Sequence, residues 1–439
     1  MSLSSPGNSS IPPSHGFIDR IRWGIVDYRD HVRLFSRNAR LYLVGSFLMG
    51  INFQVFLVLL NLYLREIGFL EGDIGEIGSA RAIGMTAMAL PAAMMLARIR
   101  LKPFLISASV LFAFFSYFIV NLDSFTMLFL FSLLSGTAFS IYQIAAGPFY
   151  MRNSSKTERT HLFSFSFATN MLAGMAGALF CGRLAEVIGQ SSGSIIIGYR
   201  YTLLVGIGIS LLALIPFAMI KSTNPSKEEN RIKLSKKEFL ARSGFYGKVF
   251  FSNFLVGTGA GLIIPFLNLY FRDRFNLSPE TIGAYYSLVQ FSMLAGSLAG
   301  PVLAKRLGLV RTVVLTQMLS IPFMLTLSYS YFLPLAVVAF VLRGGLMNLG
   351  VPIVTNVCME LSDQREHGLV GALLMLGWNS AWMVSTWIGG HLIEDYGYTF
   401  AMNITIVVYI LASLTFYWFF KGAEQRDGTS SKWVVVREK

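Results

Sequence analysis

Two arginines stand inside apolar runs long enough to cross a bilayer. Arg81 lies seven residues into a run over 74–96, and Arg343 eight residues into a run over 335–358. A guanidinium at the centre of a membrane helix costs about 3 kcal/mol on insertion scales, so each is a functional candidate by default. At ~1.5 Å per residue both start roughly 10–13 Å below the same boundary. No Asp or Glu falls near the middle of any apolar run to neutralise them. A guanidinium pair facing one water-filled cavity would favour an anion through charge-assisted, bidentate hydrogen bonds. The alternative is structural: each arginine bonds backbone carbonyls, caps a broken helix or snorkels to the interface.

Uncharged polar residues occupy the middle of other runs: Asn52 and Gln54, Gln143, Gln290, Asn348 and Asn379. Asn52 and Gln54 are about 200° apart on a helix, so only one can point squarely into a cavity. Asn52 is taken as the candidate. Each of these side chains could equally hydrogen-bond a neighbouring helix. Trp378, Trp382 and Ser385 stack on one face at i, i+4 and i+7, and Arg81, Met85, Met88 and Met95 share another. Such Trp and Met faces suit adaptable apolar ligands, although core or lipid packing uses them too.

Other chemistries find no support. There is no G-x-x-x-x-G-K-[ST] loop to cradle ATP, and no His, Asp, Glu or nucleophile cluster within the runs, so an enzyme is not expected. Cys181 and Cys358 offer neither a disulfide framework nor metal-ligand spacing. No cofactor is expected. Groups that could carry a coupling proton (Glu76, Glu186, Glu394 and His391) all lie near run boundaries. A coupling ion, H+ or another, is therefore a class expectation only.

The elements that must position these residues are membrane helices. Of 439 residues, 54% are hydrophobic and 13% charged, with a mean hydropathy of +0.58. A hydrocarbon core of ~30 Å needs about 20 helical residues per crossing. Twelve runs qualify: 41–64, 74–96, 103–122, 126–150, 162–184, 201–220, 248–271, 281–304, 311–332, 335–358, 368–393 and 398–420. They are continuously apolar rather than alternating, which argues for an all-α membrane protein over a barrel.

The net charge of +13 does not signal nucleic acid, because it is lopsided. With the N-terminus inside, 29 of the 36 Lys and Arg fall on the cytoplasmic side. Five (Arg65, Arg183, Arg200, Arg272 and Arg274) fall outside, the positive-inside pattern. Both termini are thus expected in the cytoplasm of a multi-pass protein, with a bacterial inner membrane the expected host. No cleavable signal peptide is expected, the first span serving as its own insertion signal. Phe17, Ile21, Ile25, Tyr28, Val32 and Phe35, interleaved with arginines, predict an amphipathic helix on the inner surface.

The chain also repeats itself. Leu60-Asn61-Leu62-Tyr63 with Arg65 recurs as Leu267-Asn268-Leu269-Tyr270 with Arg272, a shift of 207 (267 − 60). The stretch Gly182 to Gly189 recurs as Gly390 to Gly397, a shift of 208 (390 − 182). Distant anchors whose shifts agree to within one residue mark a parallel duplication, the mark of transporters whose halves rock about a central site. The predicted organisation is an amphipathic segment (1–40), a six-helix bundle (41–220), a polar linker (221–247), a second bundle (248–420) and a tail (421–439). Residues 190–200 read as an inserted external loop. Internal prolines (Pro91, Pro148, Pro265, Pro301, Pro322 and Pro352) allow bends.

With these motifs the chain resembles the major facilitator superfamily over essentially its whole length. The superfamily's G-x-x-x-D-R-x-G-R-R loop is best kept as Gly300 to Gly308 followed by Arg311, with Lys305 and Arg306 inside it. Its first copy, around Arg98, Arg100 and Lys102, is worn. The resemblance implies that these loops take part in gating, while Ala97 and Lys305 replace the aspartate that latches the family's halves. The antiporter motif of the fifth helix appears only in degraded form: Gly177 to Gly182 lacks its proline, and Ser385 to Gly390 keeps just the last two glycines. Ser132 replaces the arginine of the fourth-helix motif, so the drug:proton antiporter branch is weakly matched. The resemblance also implies that helices 1, 4, 7 and 10 line the cavity.

The expected function is alternating-access transport of a small organic solute by a monomer, with export of amphipathic or drug-like compounds favoured. Uptake or exchange of an organic anion through Arg81 and Arg343 is the alternative. A transporter-like sensor or scaffold without flux is a third reading.

Overall fold

A computed structural model describes residues 35–96, 100–154, 156–221, 236–363, 366–422, 424–426 and 433–435. The amphipathic segment predicted over 17–35, apart from Phe35, lies outside them, as do most of the linker, Ala97 and Arg98.

The first half comprises α1 (Arg37–Glu66), α2 (Glu71–Leu96), α3 (Leu101–Asn121), α4 (Phe125–Asn153), α5 (Lys156–Ser192) and α6 (Ile195–Met219). A short helix, Lys236–Ala241, leads into the second half, so helix structure begins inside the stretch read as linker. There follow α7 (Ser243–Phe275), α8 (Pro279–Leu307), α9 (Leu309–Tyr329) and α10 (Leu333–Glu360). The last helical stretch, His367–Phe420, has 54 residues. At ~1.5 Å per residue that is far too long for one crossing. Gly397 breaks it with φ 81°, a conformation that costs a side chain energy, giving α11 (367–396) and α12 (398–420). Ala381 of α11 and Tyr409 of α12 both pack on α7 within Gly257–Gly259, so the chain doubles back at the glycine. The described residues thus hold eleven apolar helices making twelve crossings. A two-stranded hairpin, Glu424–Arg426 with Trp433–Val435, follows α12.

Local chemistry sets several ends. Ser36 Oγ accepts the Ala39 N–H at the start of α1, and Ser278 Oγ accepts the Thr281 N–H just ahead of Pro279 at the start of α8. The expected 190–200 loop is not a loop. α5 runs on to Ser192, Gly193 turns the chain at φ 67°, and α6 starts at Ile195, so the added residues lengthen two helices. Ile195, Ile196 and Ile197 are apolar enough to continue a membrane helix, a signal that the polar residues before them obscure.

The duplication is also visible in the contacts. Tyr63 of α1 donates to the Val120 carbonyl of α3 at 3.0 Å, and Tyr270 of α7 donates to the Leu327 carbonyl of α9 at 2.6 Å. Both pairs differ by 207 (270 − 63 and 327 − 120). Repeated residues therefore make repeated bonds, and each half is one copy of the same bundle.

Candidate functional site

The halves meet along α2 with α11, α5 with α8, and the ends of α1 and α7. Small residues let the backbones touch. A Cβ on Gly75 would lie 3.0 Å from the Gly390 Cα, and one on Gly283 would lie 3.0 Å from the Gly182 Cα. These are one contact made twice, since 283 − 75 and 390 − 182 are both 208. The Asn61 amide donates to the Pro265 carbonyl at 2.7 Å, and the Asn268 amide donates to the Val58 carbonyl at 2.8 Å. That pair is reciprocal too, because 268 − 61 and 265 − 58 are both 207. Reciprocity of this kind defines a pseudo-two-fold axis between the halves.

Ionic contacts crown the same end. Arg272 bonds Glu66 at 2.5 Å, Arg183 bonds Glu280 at 2.6 Å, and Glu394 accepts the Gly72 N–H at 2.9 Å. His391 approaches Glu76 at 3.5 Å, and Trp387 Nε1 donates to Glu76 at 3.4 Å. One apolar core, from Val55 and Leu62 through Phe266 and Tyr270 to Ile393, is common to both halves here. We call this the closed end. At the opposite end the packing divides into two cores, one in each half. The first contains Tyr42, Phe149 and Phe217, and the second contains Tyr246, Val313 and Phe416. That opposite end carries Arg100, Lys102, Arg152, Arg242, Lys305, Arg306, Arg311 and Lys421, and is the basic end.

Deepest among these cross-half bonds is Gln290 of α8, which donates to Gln54 of α1 at 2.9 Å. Gly174 of α5 lies beneath the Gln290 amide, leaving it room. Asn52, the sequence candidate, points elsewhere: it is fully buried against Gly206 of α6 within its own half. The residue that turns to the other half is Gln54. An apolar helix gives no sign in its sequence of which way it is rotated, so spacing alone does not separate the two polar residues.

The arginines have separate surroundings. Arg81 extends among Phe53, Phe112 and Phe139, its guanidinium carbon 5.1, 5.9 and 5.6 Å from the ring centroids. Those rings come from α1, α3 and α4 of the same half, and Phe53 stacks on Phe139 at 5.0 Å. One Arg81 terminal nitrogen is buried without a hydrogen-bond partner. The cation is held by ring quadrupoles rather than by a carboxylate. Arg343 is 3% exposed and donates to the Tyr409 hydroxyl of α12 at 2.8 Å. Every one of these contacts is made within the arginine's own half.

The other candidates are dispersed. Gln143 is exposed on α4. Asn348 donates to the Gly344 carbonyl of its own helix at 3.0 Å. Trp378 and Trp382 of α11 lie 5.8 Å apart, and Trp382 Nε1 and the Asn379 amide nitrogen are buried without partners. Arg306 and Arg311 line a cavity of α8, α9 and α12, all in the second half. Gly308, at φ 93°, makes the turn between α8 and α9. Arg100 and Lys102 flank the start of α3. Sequence reasoning missed the closed-end contacts of Asn61, Asn268, Glu66, Arg272 and the paired glycines. The signal was available, because Asn61 and Asn268 sit inside the repeated motif itself. Among the described residues no group of three His, Cys, Asp or Glu could hold a metal.

Two like-folded six-helix bundles, joined about a pseudo-two-fold axis inside a membrane, define the class of multi-pass membrane transporters rather than enzymes. The chain belongs to the Major Facilitator Superfamily, whose family model matches residues 42–247 and 249–437. Solved structures agree on the fold. The nucleoside transporter NupG is 15% identical with a TM-score of 0.71, over 88% of this chain and 100% of its own. A bacterial homologue of the human lysosomal transporter Spinster, inward-facing and unoccupied, is 13% identical with a TM-score of 0.72, over 90% and 97%. A human organic anion transporter is 16% identical with a TM-score of 0.61, over 87% and 99%. No curated protein sequence matches the chain.

Proposed function

We propose that the protein moves a small organic solute by alternating access, and that this structure is the state open to its basic end. The carrying observation is the packing: one core shared by both halves at the closed end, two separate cores at the other. The reciprocal asparagine and glycine contacts form a latch that a rocking motion would break and remake. By the charge bias the basic end faces the cytoplasm of a bacterial inner membrane, with both termini inside, and the protein acts as a monomer. The pathway runs past Gln54 and Gln290, with Trp378, Asn379 and Trp382 on the second-half wall. This mixture of amide and aromatic groups suits a neutral or amphipathic solute better than a metal or a strongly hydrated ion.

A second reading has one observation in its favour. Arg81 is a cation with a buried, unpartnered nitrogen, packed on rings instead of a carboxylate, a group suited to an organic anion. Arg343 likewise keeps a buried, unpartnered Nε, but its terminal nitrogen already donates to Tyr409, so Arg81 carries more of the anion reading. The test is a thermal-shift panel on purified protein (nucleosides, pentoses and dicarboxylates), followed by counterflow of any stabilising compound in proteoliposomes. A Gln54→Ala/Gln290→Ala variant that loses a neutral solute supports the first reading. An Arg81→Gln variant that selectively loses an anion supports the second. Binding with no counterflow would make the protein a sensor and overturn both.

A further inference from the structure

Arg183 and Glu280 pair across the α5–α8 seam at 2.6 Å, and the duplication shows what stands at the same places in the α2–α11 seam. Arg183 corresponds to His391 (391 − 183 is 208), and Glu280 corresponds to Gly72 (280 − 72 is 208). A permanent cation in one seam is an imidazole in the other. Gly72 leaves room for it, since a Cβ there would lie 3.3 Å from His391 Nε2. The acid moves one turn along α2 to Glu76, whose Oε1 is 3.5 Å from that nitrogen. The other ring nitrogen, Nδ1, faces the Trp387 carbonyl at 3.1 Å. A carbonyl only accepts, so the neutral ring carries its hydrogen on Nδ1 and turns a bare Nε2 lone pair towards Glu76. Two acceptors then face each other across the halves, and one proton added at Nε2 converts them into an ion pair. The surroundings are acidic, with Glu71, Asp73 and Glu76 on α2, Glu394 and Asp395 on α11 and Asp273 on α7. The cations at this end have other partners: Arg65 bonds Glu71 at 3.4 Å, Arg272 bonds Glu66, and Arg274 turns to the Ser328 carbonyl and the Tyr331 ring.

We propose that His391 and Glu76 form a proton-binding site that ties closure of this end to pH. His391 belongs to the second half and Glu76 to the first, so the two meet only while the halves are closed here. Proton binding and closure are therefore coupled, and by reciprocity each favours the other. Acid tightens the closed end. As pH rises through the range in which an imidazole gives up its charge, the ion pair is lost and the end loosens. Arg183 holds the other seam at every pH, which leaves His391 as the adjustable member of an otherwise duplicated pair. Its side chain is 45% exposed, so protons on the closed-end side of the membrane reach it. Among the described residues the other histidines, His161 and His367, both lie at the basic end. The proposal requires that the closed end can open and is independent of which solute passes, so it goes beyond the transport reading.

The test uses the full-length protein with spin labels at Ser124 and Phe332, exposed equivalent positions (332 − 124 is 208) just ahead of α4 and α10 and away from the seam. Distance distributions are recorded from about pH 5.5 to 8, the span over which an imidazole changes charge. The ratio of long to short distances is expected to rise about two- to fivefold across that span, the range of an ion pair between partly exposed groups. The series is repeated on Asn268→Leu, which loosens the same end, so that a response too small to see in a tightly closed parent is still read. His391→Gln and Glu76→Gln are each expected to give a flat profile at the parent's high-pH ratio. His391→Arg, which restores the cation present at Arg183, is expected to give a flat profile at the parent's low-pH ratio. Size-exclusion profiles establish that each variant is folded. A flat profile in both backgrounds, a pH response that survives in His391→Gln, or a shift of His391→Arg towards long distances would each overturn the proposal. A pH response without counterflow of any solute would count against the transport reading and leave this one standing.

Discussion

Replacing Asn61 and Asn268 by leucine should unlatch the closed end. Each amide donates one bond to a backbone carbonyl of the opposite half, at 2.7 and 2.8 Å, and Asn268 is fully buried. Side-chain hydrogen bonds between membrane helices contribute about 0.6 kcal/mol on average and up to ~1.7. Two of them therefore bias the closed end by about 1–3 kcal/mol, and at ~1.4 kcal/mol per factor of ten their loss shifts the equilibrium about 5- to 150-fold. The shift is readable with spin labels at Leu70 and Tyr396, exposed on the α1–α2 and α11–α12 turns. Cys181 and Cys358 are buried, so labelling reaches only the introduced cysteines. The double variant should populate a longer distance that the parent lacks, and the two single variants should each give about the square root of the double effect. An unchanged distance distribution refutes the latch. Strongly unequal single variants refute the pseudo-symmetric reasoning behind it.

Other perturbations follow from the packing. Gly136→Val should prevent α2 and α4 from meeting, because any Cβ at Gly136 overlaps the Arg81 carbonyl; overpacking of ~1–3 kcal/mol or more should appear as lost folded yield, while Gly208→Ala, facing open space, should be neutral in size-exclusion profiles. Tyr409→Phe strands the buried Arg343 guanidinium without its hydroxyl partner and should cost about 1–3 kcal/mol in thermal unfolding. Glu366, between α10 and α11, is opposed by burial but receives the Asp363 N–H, the Tyr246 hydroxyl and Arg242, and the net effect holds its carboxyl below the usual range. A depressed folded-state value means stability present above the unfolded value and lost as pH falls through the folded one. Wild type should therefore exceed Glu366→Gln in melting temperature near neutral pH, with the gap closing as acid is added below pH ~4.5; a gap independent of pH would rule this out.

Much of the architecture was legible in the chain because bilayer insertion depends on local composition. An apolar run must be helical and about 20 residues long wherever it lies, so ten of the twelve segments needed only their ends adjusted. The fifth and sixth are longer than their apolar runs over 162–184 and 201–220 suggest, because the residues between them read as a loop yet continue both α5 and α6. Asn61 and Asn268 declare the duplication in the sequence, but their bonds become visible only when the opposite carbonyls are in place.

What the sequence determined by itself is the membrane class, the twofold repeat, and which positions are equivalent between the halves. Hydropathy and self-similarity are properties of single segments and need no partner. Tertiary structure alone decided that Gln54 rather than Asn52 turns to the other half, that Arg81 rests on three rings and Arg343 on Tyr409, and that the core is joined at one end and split at the other. A helix that is apolar on every face can rotate at little cost in hydration, so its orientation is set by which small residues and hydrogen-bond partners its neighbours present.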